Sequence, residues 1–128
     1  MTPTLMTRLG AGLMFLAVGL GAFGAHALKS RLEPDMLAAF EVGVRYQVYH
    51  ALALLLLAAL HGPAKAAWCF TVGVAFFSGS LYLLALTGVR KWGAVTPIGG
   101  LLFLAGWLIV LFQRHAAGAD SFLNRLNL

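Results

Sequence analysis

Charge is what this chain has least of. Nine Lys and Arg and four Asp and Glu make up 10% of its 128 residues, where roughly a quarter is usual for a soluble domain. Hydrophobic residues make up 61%, and a soluble chain this small has no core large enough to hide them. The acids stand at 33, 35, 41 and 120, outside every long apolar run. That argues against a cation or proton antiporter built on a membrane carboxylate. Cysteine occurs once, at Cys69, which excludes an internal disulfide and leaves the redox compartment unmarked. No Cys-x-x-Cys-His motif is present, and His, Cys and acidic residues are too few for a zinc site. No metal or cofactor is expected, and nothing points to an enzyme. The net charge of +5 includes no basic cluster interleaved with aromatics, so nucleic acid is not an expected partner.

The apolar runs are what the chain has in abundance. Twenty uncharged residues separate Arg8 from Lys29, nineteen separate Arg45 from Lys65, twenty-four separate Lys65 from Arg90 and twenty-two separate Lys91 from Arg114. A helix rises about 1.5 Å per residue, so roughly 20 residues cross the ~30 Å hydrocarbon core. Four spans follow, over about 5–28, 46–60, 66–87 and 97–113, within a single membrane domain covering 1–128. The bilayer is the solvent and membrane lipids are partners, with the flanking cations meeting anionic headgroups. Trp68 and Trp92 fall at expected water–lipid boundaries, where indole rings anchor.

The connections carry their own signals. His61-Gly62-Pro63 ends span 2 in a tight turn, which makes spans 2 and 3 an antiparallel hairpin. Thr96-Pro97 suits the start of span 4, Thr as a cap and Pro in the first turn. Between spans 1 and 2, Ser30-Arg31-Leu32-Glu33 has capping-box spacing and Pro34 fits a first helical turn. Met36, Leu37, Phe40 and Val44 then share one face, and Glu41 precedes Arg45 by four residues, a favourable pair. This reads as a short amphipathic helix over about 34–45, lying on the membrane surface and running into span 2.

Ala25-His26-Ala27 also fits the small-x-small pattern of a signal-peptidase site. The uncharged run before it is 20 residues, longer than the 7–15 of a signal-peptide core. Ala17, Gly21 and Ala25 also recur at four-residue spacing, as do Ala75 and Gly79 in span 3. Such stripes let helices approach closely in lipid, and a discarded segment has no use for one. The retained helix is the preferred reading. The stripes do not say whether the partner helix is in the chain or in another copy. Cations divide four against five between the two sides of the bundle, so orientation is open. No internal repeat suggests an inverted-repeat transporter.

Polar residues concentrate in one half of the membrane. An up-down-up-down bundle gathers His26, Tyr46, Tyr49, His50, Ser78, Ser80, Tyr82, Thr87 and Thr96 there, with Tyr46, Tyr49 and His50 on one face of span 2. One reading is a polar pocket or proton-accessible site centred on His26 and His50. The other, and the weightier, is that these groups bond one another and the backbone and tie helix ends together. A paired-histidine haem site is the weakest reading. His61 and His115 sit at span ends on the opposite side, where interfacial positions explain them. The tail from Asp120 to Leu128 carries no clear message.

The segments GAFGAHAL (21–28), RYQVYHALALL (45–55), FSGSLYLLALTG (77–88) and TPIGGLLFLAGW (96–107) resemble the YgdD / transmembrane protein 256 family of small bacterial and mitochondrial membrane proteins. The resemblance covers nearly the whole chain in order. It implies a four-helix integral membrane protein, placed in bacteria in the inner membrane, with a domain of unknown function. It also implies that His26, Tyr46, His50, Ser80, Tyr82, Thr96 and Pro97 belong to family motifs without assigned roles.

The expectation is therefore an all-α, four-span antiparallel transmembrane bundle with a short amphipathic surface helix between spans 1 and 2. The leading function is a non-enzymatic interaction or assembly subunit, as a homo-oligomer or with another membrane protein. The alternative is an oligomeric small-solute or ion pathway lined by the His/Tyr/Ser cluster. A lipid-, quinone- or haem-binding component comes third.

Overall fold

Pro3 opens the first helix at the position where its missing N–H costs nothing. Thr2 caps it there, its hydroxyl oxygen accepting the Leu5 N–H at 3.1 Å. In the computed structural model, which describes residues 1–113 and 125–126, this helix, α1, runs over Pro3–Leu28. The next, α2, spans Pro34–Leu60, α3 spans Ala64–Thr87, and α4 spans Thr96–Phe112 after a short 3-10 turn at Arg90–Ala94. All four are long and apolar enough to cross a membrane, counting the turn with α4, and the described residues hold no strand. The protein is an all-α, four-span integral membrane protein. His115 and most of the tail at 120–128 lie outside the described residues.

The expected surface helix at 34–45 is not a separate element. Pro34 to Leu60 form one uninterrupted helix of 27 residues, because the stretch holds no proline after its first position and its one glycine, Gly43, does not stop a helix. The expected capping box does not form either. Pro34 takes the first helical position and holds Glu33 extended at ψ 150°, as a residue before proline prefers. Ser30 is left in a turn tied by Arg31 and Leu32 N–H bonds to the Leu28 carbonyl. At the far end His61 adopts the left-handed conformation (φ 53°, ψ 43°). There the Gly62 N–H reaches back to the Leu57 carbonyl at 2.8 Å, closing the turn into α3.

The helices pack in chain order, α1 on α2, α2 on α3 and α3 on α4, and α1 shares no packed interface with α4. The central pair is the most enclosed. In their most apolar stretches 44% of α2 and 39% of α3 is buried, against 6% for α1 and 17% for α4. The largest fully buried side chains are Phe40, Phe70, Leu54 and Ser78.

Phenylalanine set on glycine joins α3 to α4. A Cβ added at Gly73 would meet the Phe103 ring at 2.6 Å, and one at Gly106 would meet the Phe70 ring at 2.6 Å. One at Gly99 would strike the backbone and Cβ of Phe77. These three antiparallel pairs fix the register, two by a ring and the third by backbone filling the space a side chain would have taken. On the other side, α1 carries a wider π-helical segment over Leu20–Gly24. Its glycines bring it close to α2, Gly21 against Val44 and Gly24 against the Phe40 ring.

Candidate functional site

The polar half of the membrane resolves into three separate bonded groups rather than one pocket. The first centres on His50, 4% exposed on α2. Its ring lies flat on Phe103, with centroids 3.6 Å apart and planes 5° apart. Phe70 closes a second side at 5.2 Å. The Trp107 indole N–H donates to Nε2 at 3.1 Å, and Nδ1 lies 2.8 Å from the Tyr46 carbonyl. An indole nitrogen can only donate and a carbonyl can only accept. Nε2 must therefore be the bare nitrogen and Nδ1–H the donor, so one neutral tautomer satisfies the whole chain of bonds. Trp107 stands five residues before the end of α4, about 7.5 Å along the helix, inside the span rather than at its rim. Its bond to His50 is what satisfies an indole N–H at that depth.

The second group joins α1, α2 and α3 through Gln47, 3% exposed. Its side-chain amide donates to the Leu13 carbonyl at 2.7 Å and accepts the Tyr82 hydroxyl at 2.7 Å. Below the Tyr82 ring, fully buried Ser78 donates to the Gly43 carbonyl at 2.6 Å. Gly43 has no room for a side chain, since a Cβ would meet Tyr82 at 2.9 Å. The third group is a hydroxyl pair across α3 and α4, Ser80 Oγ and Thr96 Oγ1 at 2.6 Å. Thr96 is thus used between helices rather than as the expected cap. Among the described residues every buried side-chain nitrogen and oxygen has a partner.

Of the remaining expected site residues, Tyr46 stays beside the His50 group, its ring 4.6 Å from that of Phe77, while Tyr49 and His26 lie apart. Tyr46 and Tyr49 meet edge to face on the outer side of α2, 38% and 50% exposed. His26 is exposed near the end of α1 and has no hydrogen bond to the His50 group. It stays outside because α1 packs on α2 alone, so its end never closes over the start of α4. Among the described residues no group of three His, Cys, Asp or Glu is placed to hold a metal ion. A groove of about 540 Å³ opens beside His50, lined by Tyr46, Phe77, Phe103, Leu104 and Trp107. Its walls are almost wholly apolar, since the imidazole nitrogens are already bonded.

Residues 20–100 match a family described as a protein of unknown function (DUF423). The chain belongs to this family. A UPF0382 membrane protein of Staphylococcus haemolyticus is 48% identical over 110 residues, which cover 82% of this chain and 90% of that one. The UPF0382 membrane protein YwdK of Bacillus subtilis is 41% identical over 110 residues, 80% of this chain and 89% of its own. The UPF0382 inner membrane protein YgdD of Escherichia coli is 40% identical over 117 residues, 87% of this chain and 89% of its own. No solved structure matches. As a family member the chain is a multi-pass integral membrane protein of the bacterial inner membrane type, and none of these descriptions names an enzymatic activity.

Among the expected packing residues, Ala17 is buried, and Gly21 and Ala25 face α2. Ala75 and Gly79 point outward, with nothing within 4 Å of a Cβ at Gly79. The sequence alone did not single out Gln47, Trp107, Gly43, Gly73, Gly99 and Gly106. The signal for Gly99 and Gly106 was their seven-residue spacing with Phe103 between them.

Proposed function

We propose that this family member is a non-enzymatic membrane interaction subunit, working as a homo-oligomer or bound to another membrane protein through its outer helix faces. One observation carries the reading. The outer faces of α1 and α3 bear glycines without a neighbour: Gly12, Gly19 and Gly79 have nothing within 4 Å of an added Cβ. Phe15 and Phe23, four residues either side of Gly19, stand out 79% and 77% exposed. This is the same phenylalanine-and-glycine material that joins α3 to α4 inside the molecule. A glycine facing lipid costs about 0.5–1 kcal/mol relative to alanine in a helix. It returns that only where another helix comes close. The alternative, a pathway lined by the His/Tyr/Ser cluster, has less support, because those groups are bonded to one another and to the backbone.

Native mass spectrometry in mild detergent tests the proposal. The wild type is expected as a complex, with itself or with a second membrane protein. Gly19→Leu and Gly79→Leu should dissociate it, while His26→Ala and Tyr46→Phe should leave it intact. A monomeric, partner-free wild type that carries solute flux in liposomes would sink the idea.

A further inference from the structure

Among the described residues, Arg45 is the one cation that the lengths of the spans place inside the apolar slab. It lies sixteen residues before His61 on an unbroken helix, roughly 24 Å along it. The hydrocarbon core is ~30 Å thick, so with His61 at one surface Arg45 stops short of the other. On the neighbouring helix Lys29 stands twenty-one residues beyond Arg8, roughly 31 Å, and so reaches the surface. An ionised group just beneath the surface either pairs with an opposite charge or snorkels to the phosphate level. Glu41, one turn nearer the surface, is the obvious candidate. Yet among the described residues the only ion pair is Arg90 with Asp35, at 3.5 Å. Instead Arg45 and Glu41 both line a cleft of about 290 Å³ between α1 and α2, with Gly21, Ala25, Val44 and Val48. The cleft lies beside the π-helical segment, whose small residues leave one wall low. It has apolar sides, a cation at its deep end and a carboxylate at its shallow end.

We infer that this cleft binds the headgroup of an amine-bearing zwitterionic phospholipid, a phosphoethanolamine lipid. The order of charges is what commits it to that occupant. Such a lipid carries its phosphate next to the glycerol, on the deeper side, and its ammonium two carbons further out. Arg45 then meets the phosphate, which a guanidinium grips with two parallel N–H bonds. Glu41 accepts N–H bonds from the ammonium, one helical turn above. A phosphocholine lipid has the same charges but no ammonium N–H to donate. A phosphoglycerol lipid satisfies Arg45 and leaves Glu41 facing a net negative headgroup. Val48, one turn deeper than Val44 and Arg45, receives the first carbons of the acyl chains. This inference does not depend on the association proposed above, because the cleft is complete within one chain.

The test titrates the purified full chain in mild detergent with phosphatidylethanolamine, phosphatidylcholine and phosphatidylglycerol of matched chains, counting adducts by native mass spectrometry. Wild type is expected to hold phosphatidylethanolamine about fivefold more tightly than either other lipid, the upper range for a partly exposed ion pair. Arg45→Gln should lose that binding, Glu41→Gln should erase the preference, and Glu41→Lys should turn it towards phosphatidylglycerol. Thermal melting of each variant reports that it is folded. Equal binding of the three lipids by wild type would overturn the inference, as would a preference unchanged in the folded Arg45→Gln and Glu41→Gln proteins. Stronger binding of phosphatidylglycerol than of phosphatidylethanolamine by wild type would also overturn it, by making the cleft a simple cationic site.

Discussion

His50 shows how a polar side chain is held within an apolar slab. Two effects contribute, its ring packing on Phe103 and Phe70 and its bonds to Trp107 and the Tyr46 carbonyl. Their sizes differ. Hydrogen bonds between membrane helices are worth roughly 0.6–1.7 kcal/mol, whereas emptying a packed core site costs about 2–5 kcal/mol. Trp107→Phe is therefore expected to destabilise by about 0.6–1.7 kcal/mol and His50→Ala by about 2–5 kcal/mol, measured as reversible unfolding in bicelles. Equal losses in the two variants would mean that the hydrogen bond, and not the stacked ring, is the main contribution. The histidine was visible in the sequence. Its partner was not: Trp107 lies 57 residues away, and a tryptophan within a span carries no mark of what it bonds. Gln47 was missed for a related reason. A lone glutamine in an apolar run becomes meaningful only when folding brings Leu13 and Tyr82 to its two ends.

At the scale of helices, glycine has opposite meanings on two faces of α3. Gly73 lies under the Phe103 ring, and Gly99 on α4 abuts the Phe77 backbone, whereas Gly79 opens onto empty space. Gly99→Ala is thus expected to destabilise the protein by about 1–3 kcal/mol through overpacking. The backbone it strikes cannot rotate away as a side-chain tip would. Gly79→Ala is expected to gain about 0.5–1 kcal/mol from helix propensity in the isolated chain. Unfolding midpoints of the two variants check the pair, and a loss at Gly79 would show that face already covered. The contrast marks where sequence reading stops. Charge spacing revealed the helices, because a bilayer of fixed thickness sets the length between cations. Four-residue spacing revealed Ala75 and Gly79 as a stripe, but periodicity does not say which neighbour a stripe faces. The π-helical widening at Leu20–Gly24 left no signal beyond its glycines. The merging of the 34–45 segment into α2 was legible only as continuity, since nothing after Arg45 stops the helix.

At the scale of the whole molecule, the open arc of four helices leaves orientation to be decided by charge alone. Cations set the side that stays in the cytoplasm, counted in short loops and near span ends, while Asp and Glu contribute little. One side carries Arg8, Lys65, Arg114 and Arg125, and the other carries Lys29, Arg31, Arg45, Arg90 and Lys91. The larger set is weakened by depth. Arg45 lies beneath the surface by the length of its helix, which brings the effective count to four against four. A chain so nearly balanced should respond to few added charges. Two extra lysines in the turn at 61–65 are expected to hold that turn, and with it both termini, in the cytoplasm. Arg90→Gln with Lys91→Gln should shift the chain the same way by subtraction, and two lysines added beside Lys91 should shift it the other way. A reporter fused to the C-terminus that is active on one side of the membrane only measures each shift. If all the variants keep one orientation, then α1, whose Arg8 enters first, fixes the topology before the later loops are made, and the balance of charges in the finished molecule is without consequence.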